Sequence, residues 1–162
     1  MARKLDRFDI QLLNLLQADN LATAETLAGE VALSPSAIAR RLRGYREDAL
    51  IAANAALLAP ELTSDRLRAI VQIQVHEHAE EKGIAALRAR LAAAREVQLL
   101  LNVAGAVDLI ALVVTRDMRA FNAFADAYFA GDSAVRRYET SFVKAEIKNR
   151  PAVWLDERDA AG

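Results

Sequence analysis

Four arginine side chains lie close together in the first third of this 162-residue chain. Arg40, Arg41, Arg43 and Arg46 fall within residues 34–46, a segment that contains no acidic residue. A guanidinium group binds phosphate oxygens and can donate two parallel hydrogen bonds to the edge of a guanine base. The chemistry that this segment offers is therefore the binding of nucleic acid.

The residues just before the arginines extend this candidate surface. Ser36 is a short polar group that can reach a phosphate or a base edge, and Ala37 can contact the methyl group of thymine. The predicted DNA-binding residues are Ser34, Ser36, Ala37, Arg40, Arg41 and Arg43. The alternative interpretation is a solvated helix face that binds nothing.

Composition limits the kind of protein that this can be. The net charge is −1, so the protein does not coat nucleic acid through bulk electrostatics and any DNA contact must be local. The absence of cysteine excludes disulfides and thiolate metal sites and fits a reducing compartment. Charged residues follow Met1 almost at once, without the apolar stretch of a secretory signal, and no apolar run is long enough to span a membrane. We therefore expect a cytoplasmic protein.

Three short helices are predicted to position the arginines. Asp6 can cap a first helix, with Asp9 three residues later as in a capping box. A second helix is expected over residues 23–31. After a tight turn, Ser34 offers a side-chain cap and Pro35 supplies the backbone dihedral that suits the first turn of a third helix. Three short helices with a tight second turn are typical of a helix-turn-helix domain.

The third helix separates its apolar residues from its basic residues when it is projected at about 100° per residue. The apolar residues on one side are Ile38, Leu42 and Tyr45. The residues on the opposite side are Ser36, Arg40 and Arg43, while Ala37 and Arg41 lie on a flank. A helix that is apolar inside and basic outside favours DNA contact over a merely solvated face.

From residue 67 onward, strands alternate with helices. Strands are predicted over residues 67–75, 97–103, 108–114 and 135–142, and amphipathic helices over about 80–94 and 118–129. The order βαββαβ is that of a ferredoxin-like fold, in which both helices pack on one face of an antiparallel sheet. The predicted fold class is therefore α+β, with an N-terminal winged helix-turn-helix and a ferredoxin-like second domain.

The predicted organisation follows from these elements. Residues 1–50 form the DNA-binding domain, 51–66 a strand or wing with a linker, 67–150 the second domain and 151–162 a tail that Trp154 is expected to pack. Apolar residues are consecutive within two of the strands, so both faces of the sheet are expected to be buried. Because the helices cover only one face, we expect a second subunit to cover the other through a two-fold interface.

Taken together, these features resemble the Lrp/AsnC, or feast/famine, family of transcriptional regulators over about residues 4–150. The matching pieces in chain order are Leu5-Asp6-x-x-Asp9 with Leu13 and Leu16, Leu33-Ser34-Pro35-Ser36 followed by Arg40-Arg41-Leu42, Val103-x-Gly105-x-x-Asp108, and Asp117-Met118. The resemblance implies a sequence-specific regulator that binds double-stranded DNA, with a RAM/ACT-like domain that senses an effector and dimerises. It also implies assembly of dimers into octamers or similar rings, with no cofactor and no enzymatic activity.

The resemblance further implies an amino-acid-like effector near Gly105, Val107 and Asp108 at a contact between dimers, with Thr140 as an additional candidate. The residues alone leave other roles open. Gly105 can instead be required by the turn, since glycine permits positive φ in a hairpin. Asp108 can cap that turn or hold the ammonium group of an effector.

Two places depart from the family pattern. The family usually has glycine after the third helix, where this chain has Ala49. The backbone geometry of that turn can therefore differ from the family's. The family hairpin commonly reads Gly-acid-aromatic-Asp, whereas the chain has Ala106 and Val107 between Gly105 and Asp108. This second departure keeps a different hypothesis open, an architectural protein that bends DNA without an effector.

Two further hypotheses involve the histidines. Relatives of this two-domain build resemble siroheme decarboxylase subunits, which need a histidine near the sensor cavity, but the chain has only His76 and His78, outside the 103–108 hairpin. The run His76-Glu77-His78 could also bind a metal, since strand residues two apart share a face. Solvated polar residues at a strand end explain the same run without a ligand.

Overall fold

The computed structural model describes residues 4–161, which divide into two compact units. The first unit contains the residues up to Leu57 together with those from Lys148 onward, and the second unit is Leu58–Ile147. The C-terminal tail therefore belongs to the N-terminal unit. Over the described range, no helix is both long and apolar enough to cross a membrane.

The first unit holds three helices, α1 (Arg7–Ala18), α2 (Ala24–Leu27) and α3 (Pro35–Glu47). Their N-terminal caps are the side chains of Asp6, Thr23 and Ser34. The buried core between the helices consists of Leu12, Leu16, Leu27, Val31, Ile38 and Tyr45. This three-helix arrangement confirms the predicted helix-turn-helix domain.

Helix α2 is shorter than the predicted span of 23–31. It ends at Leu27, and the N–H of Gly29 then bonds to the carbonyl of Thr26, only three residues back. Glycine is a poor helix former because its backbone loses the most freedom on ordering. The chain therefore turns at this point instead of continuing the helix.

The end of α3 has the geometry that glycine usually provides. Ala49 has a φ of 53°, in the left-handed region. The N–H of Leu50 bonds to the Tyr45 carbonyl at 2.9 Å and the N–H of Ala49 to the Arg46 carbonyl at 3.2 Å, the two bonds of a Schellman motif. The turn thus keeps a left-handed residue although its side chain is alanine, and the strain falls on Ala49.

The strand or wing predicted at 51–58 is not formed. Residues 52–59 have no regular secondary structure, and one turn of 3₁₀ helix (Pro60–Leu62) follows. A strand needs a partner for its backbone groups, and within the described chain none lies beside this segment. Its apolar side chains stay exposed, with Leu57 at 79%.

The second unit is a four-stranded antiparallel sheet with helices. The elements in chain order are β1 (Leu67–Val75), α4 (Glu81–Ala93), β2 (Val97–Asn102), β3 (Leu109–Thr115), α5 (Met118–Ala125) with a following π-helical turn (Asp126–Ala130), and β4 (Val135–Phe142). The strand order is β2-β3-β1-β4, with every neighbouring pair antiparallel. The ferredoxin-like prediction is confirmed.

The two faces of the sheet differ in burial. One face packs with Leu87 and Leu91 of α4 and with Phe121 and Phe124 of α5 in a single buried core. On the other face, the register aligns Leu99, Leu112 and Ile70 in one row across three strands. The exposed fractions of Leu99 and Ile70 are 47% and 38%. In the single chain, therefore, only the face covered by the helices is buried, and the other face is apolar and uncovered.

Replacing Ala49 with glycine should stabilise the first unit. Glycine has no Cβ to clash in the left-handed region, which costs other residues about 1–2 kcal/mol, and part of this gain is offset by the extra freedom of glycine in the unfolded chain. We expect a net gain of about 0.5–1 kcal/mol in the free energy of unfolding, measured by urea titration.

The matched control is Ala39→Gly, at an exposed position within α3. Glycine inside a helix costs about 1 kcal/mol relative to alanine, so the same substitution should here destabilise. Equal signs for the two variants would contradict the strain assigned to Ala49.

Candidate DNA-binding helix and effector hairpin

The N-terminus of α3 is fixed by local hydrogen bonds. The Ser34 hydroxyl accepts from the N–H of Ala37 at 3.3 Å and lies 3.1 Å from the Ser36 hydroxyl. Pro35 follows the cap, where its missing N–H would have had no partner within the helix. Both serines are exposed at this end of the helix, so their hydroxyls are accessible to a ligand.

The outward side of α3 is basic. Ser36, Arg40 and Arg43 are exposed and follow one another at spacings of four and three residues, which places them along one side of the helix. Neither Arg40 nor Arg43 forms an ion pair with any residue that the structure describes. Two guanidinium groups are therefore held on a rigid element and are available to phosphate or bases.

The inward side of α3 is tied to α1 through one buried carboxylate. Asp9 is buried, and its Oδ1 accepts from the hydroxyl of Tyr45 at 2.7 Å and from the Arg41 guanidinium. Its Oδ2 accepts from the backbone N–H of Asp6 at 3.0 Å, which completes the capping box of α1. Asp6 in turn accepts from Arg41 Nη2 at 2.8 Å. One side chain thus fixes both the start of α1 and the position of α3.

The surroundings of Asp9 favour its charged form. Burial alone would raise its pKa, but the hydrogen bonds from the Asp6 backbone, Tyr45 and Arg41, with the positive charge of Arg41, outweigh burial and lower the pKa below its usual value. The same contacts act on the partners. Burial and the hydrogen bond to Asp9 raise the pKa of Tyr45, and, against the effect of burial, the two carboxylates raise the pKa of Arg41.

Arg41 differs from the other arginines of the predicted DNA-binding set. Its side chain is 21% exposed, and its guanidinium group is engaged by Asp6 and Asp9. Projection of the helix placed Arg41 on a flank and could not show which residues its guanidinium group would contact. Tyr45 was predicted only as an apolar core residue, and the role of its hydroxyl was missed. A carboxylate at the third position of a capping box, facing a tyrosine of another helix, is the signal that would have indicated both contacts.

The hairpin between β2 and β3 is fastened to β1. Asp108 Oδ2 accepts from the N–H of Val75 at 2.8 Å, and the N–H of Asp108 donates to the Ile73 carbonyl at 2.9 Å. The side-chain amide nitrogen of Gln74, Nε2, donates to the carbonyl of Ala106 at 2.7 Å. The half-buried Asp108 carboxylate therefore has a structural partner at the irregular end of β1, and no described group donates to its Oδ1.

The other predicted effector residues are placed as follows. Gly105 does not have positive φ, and a Cβ built on it meets nothing within 4 Å, so neither backbone conformation nor space requires glycine there. The expectation that the turn needs it is wrong. Val107 lies beside Asp108 in the half-buried part of the hairpin. Thr140 pairs with Val71 in β4, on the far side of β1 from β3, so a single chain does not bring it to the hairpin.

The histidines lie at the other candidate site. His76 and His78 line a surface cleft of about 420 Å³ with Ser133 and Arg136. In the described part of the chain, no three histidine, aspartate or glutamate side chains group as a metal site would require. The metal hypothesis for His76-Glu77-His78 therefore gains no support from the fold.

Comparison with known families agrees with this geometry. The AsnC-type helix-turn-helix domain matches residues 5–46, and the Lrp/AsnC ligand binding domain matches residues 68–153. The chain belongs to the Lrp/AsnC family. The first match covers the helix that carries the exposed arginines, and the second covers the sheet and the hairpin.

Individual Lrp/AsnC relatives cover nearly the whole chain. The chain is 30% identical to an HTH-type transcriptional regulator of Sinorhizobium fredii over 96% of this chain and 91% of the relative. A transcriptional regulator of Neisseria meningitidis, solved in complex with L-methionine, has a TM-score of 0.82 at 29% identity over 92% of this chain and 96% of that one. An AsnC family regulator from Agrobacterium tumefaciens has a TM-score of 0.81 at 27% identity, with the same coverage.

Replacing Asp9 with asparagine should destabilise the first unit by about 3 kcal/mol, because it leaves Arg41 without its buried partner. Unfolding in urea, followed by the fluorescence of Trp154, the only tryptophan, measures this. Since the pKa of Asp9 is lowered in the folded chain, its stabilisation is complete above about pH 4, the ordinary value, and is lost as the pH falls through the lowered pKa. The difference between wild type and variant should therefore shrink under acid.

The matched control is Glu30→Gln, which removes the same charge at an exposed position of the same unit and should change the stability by less than about 0.5 kcal/mol. A difference between wild type and Asp9→Asn that stays constant from pH 7 to pH 3 would contradict the role of the charge.

Proposed function

We propose that the protein binds DNA through the outward side of α3, with Arg40 and Arg43 as the principal contacts and Ser34, Ser36 and Ala37 beside them. The observation that carries this proposal is the division of α3 into two sides. Its inner side is locked to α1, and its outer side presents exposed arginines that make no ion pair with the described residues. Arg41 is assigned to the inner contact, as a residue that positions the helix.

DNA recognition by such a domain requires two copies. A dimer places two recognition helices in successive major grooves, about 34 Å apart. The uncovered row of Leu99, Leu112 and Ile70 supports a two-fold dimer through the sheet, because an apolar patch continuous over three strands is unfavourable in water. Assembly of such dimers into an octamer is the extension that the family resemblance favours.

An amino-acid-like effector is proposed to act at the hairpin. Asp108 has one carboxylate oxygen committed to Val75 and the other facing no described donor, so an ammonium group could bind it. A side chain at Gly105 of the same hairpin would meet open space. The Neisseria meningitidis regulator in complex with L-methionine supports an effector of this class. Val107 would line the same pocket, and Thr140 could enter it only from a second subunit.

The other functions considered have weaker support. The named relatives are transcriptional regulators, which favours regulation over both an architectural role and an enzymatic one. DNA binding also sets where the protein acts, in the cytoplasm with the chromosome. The departure of the hairpin at Ala106 and Val107 from the family pattern bears on which amino acid binds.

Replacing Arg40 and Arg43 together with alanine should weaken binding to the protein's own promoter fragment by about 30-fold or more at physiological salt. Each lost contact to a base or phosphate costs about 1 kcal/mol or more. The slope of log affinity against log salt should also fall, because fewer counterions are released. Gel-shift or fluorescence titration at two salt concentrations measures both quantities.

The matched control is Arg116→Ala with Arg119→Ala, which removes the same charge from exposed positions of the second unit. This control should retain wild-type affinity, and both variants should sediment as the wild type does. Equal losses in the two variants would remove Arg40 and Arg43 from the DNA interface and leave only an effect of net charge.

A substitution at Gly105 should separate effector binding from folding. One member of an amino-acid panel should change the DNA affinity of the wild type by about fivefold or more, the usual size of allosteric coupling. Gly105→Val should abolish this response with little change in stability, because a side chain there meets no other group in the single chain.

The control is Gly131→Val, in the connection between the π-helical turn and β4 of the same unit, where a Cβ also meets nothing within 4 Å and φ is negative. It should keep the full response. A response that survives Gly105→Val unchanged would place the effector elsewhere.

A further inference from the structure

The C-terminal tail, residues 148–161, is bound to α1 through its backbone. The amide of Asn14 donates to the Leu155 carbonyl and accepts from the Leu155 N–H, both at 2.9 Å. The amide of Gln17 makes the same pair of bonds to Val153, at 2.8 and 2.7 Å. Two side chains thus make four hydrogen bonds to two tail residues.

The spacing of these contacts has a simple geometric basis. Asn14 and Gln17 are three residues apart on α1 and therefore lie on one side of the helix. Val153 and Leu155 are alternate residues of an extended segment, so their N–H and C=O groups point to the same side. Each of the two side-chain amides provides the tail with one hydrogen-bond donor and one acceptor, as the backbone of a neighbouring β-strand would.

The tail is bound through its backbone, and two of its large side chains remain exposed. Trp154 is 63% exposed and Val153 is 71% exposed, so the expectation that Trp154 packs the tail is wrong. Among the described groups, none accepts from the N–H of Trp154. Asn14 and Gln17 supply the hydrogen bonds of this attachment, and the side chain of Leu155 beside them is half-buried.

We propose that this contact, here called the tail clasp, is a second tether that restrains the helix-turn-helix domain. The chain passes between the two units twice, after Leu57 and again after Ile147, and the second crossing leads from β4 into the clasp. The first crossing is an irregular segment, without helix or strand over residues 52–59.

The clasp acts on the recognition helix through α1. The same helix carries Asn14 and Gln17 towards the tail and, at its N-terminus, Asp9 towards Arg41 and Tyr45 of α3. A movement of the chain after β4 is thus transmitted by hydrogen bonds to the helix proposed to bind DNA. This inference rests on the proposed function, and its consequence is that the clasp fixes the spacing between the two recognition helices of a dimer.

Variants that remove the hydrogen bonds of the tail clasp test the proposal directly. Asn14→Asp with Gln17→Glu keeps the shape of both side chains but removes both donors and sets carboxylates against the tail carbonyls. The steady-state fluorescence anisotropy of Trp154, the only tryptophan, should fall in this variant because the tail is released. The control is Gln98→Glu with Asn122→Asp, the same two kinds of change at exposed positions of the second unit, which should leave the anisotropy unchanged.

A second pair of variants changes the tail and leaves α1 intact. Leu155→Pro removes the N–H that donates a hydrogen bond to the Asn14 side chain. Ala152→Pro removes an N–H that donates to no described group. Only Leu155→Pro should release the tail. Unchanged anisotropy in both clasp variants would overturn the proposal.

The consequence for DNA is tested with promoter duplexes that carry about 2 extra base pairs between the half-sites. The wild type should lose about tenfold or more in affinity on the longer duplex, since both helices no longer fit at once. The clasp variants should lose less than about threefold, because a domain on a single tether adapts to the change.

The outcomes separate this inference from the function on which it rests. Equal loss in wild type and clasp variants would overturn the restraint while leaving DNA binding intact. Failure of the wild type to bind its promoter even at low salt would overturn the proposed function, and this inference with it.

Discussion

The first unit depends on the charged hydrogen bonds of a single buried carboxylate. Burial of Asp9 opposes its ionisation, and only the combination of the Asp6 backbone, Tyr45 and Arg41 makes the charged form favourable. These partners come from both ends of the domain sequence, so the carboxylate holds α3 at one orientation on α1. By drawing Arg41 inward, it also defines which face of α3 remains outward. The orientation of α3 on α1 and the direction of its exposed basic face therefore have one cause.

Asp108 plays a comparable part in the second unit. Its carboxylate satisfies the N–H of Val75 where the pairing of β1 with β4 becomes irregular, and so fixes the hairpin to the end of the sheet. The attachment leaves the other carboxylate oxygen without a described donor, in a hairpin that also contains a glycine with no conformational or spatial requirement. A residue with a structural contact can thus still have capacity for a ligand. The sheet positions the hairpin, and the second oxygen of the Asp108 carboxylate can still accept a hydrogen bond from a ligand.

Local patterns allowed most of the fold to be predicted, and long-range contacts account for what was missed. The caps at Asp6 and Ser34 and the alternation of strands depend on residues a few positions apart, and all appear in the structure. The segment 51–58 fails as a strand because a strand requires a partner that no local pattern provides. The partners of Arg41 lie more than thirty residues away, and those of the tail more than one hundred, so the sequence carried no local sign of either.

The small number of free arginines explains why the rest of the structure matters for DNA binding. Each α3 exposes only Arg40, Arg43 and Arg46, and the chain as a whole has a net charge of −1. One domain can therefore neutralise few phosphates, and its affinity alone would be near that of non-specific binding. Useful affinity must come from joining two domains, where the second binds at a high effective concentration set by the connection between them. Under the proposed dimer and the proposed tail clasp, the uncovered sheet face and the attachment of the tail to α1 both act on that connection.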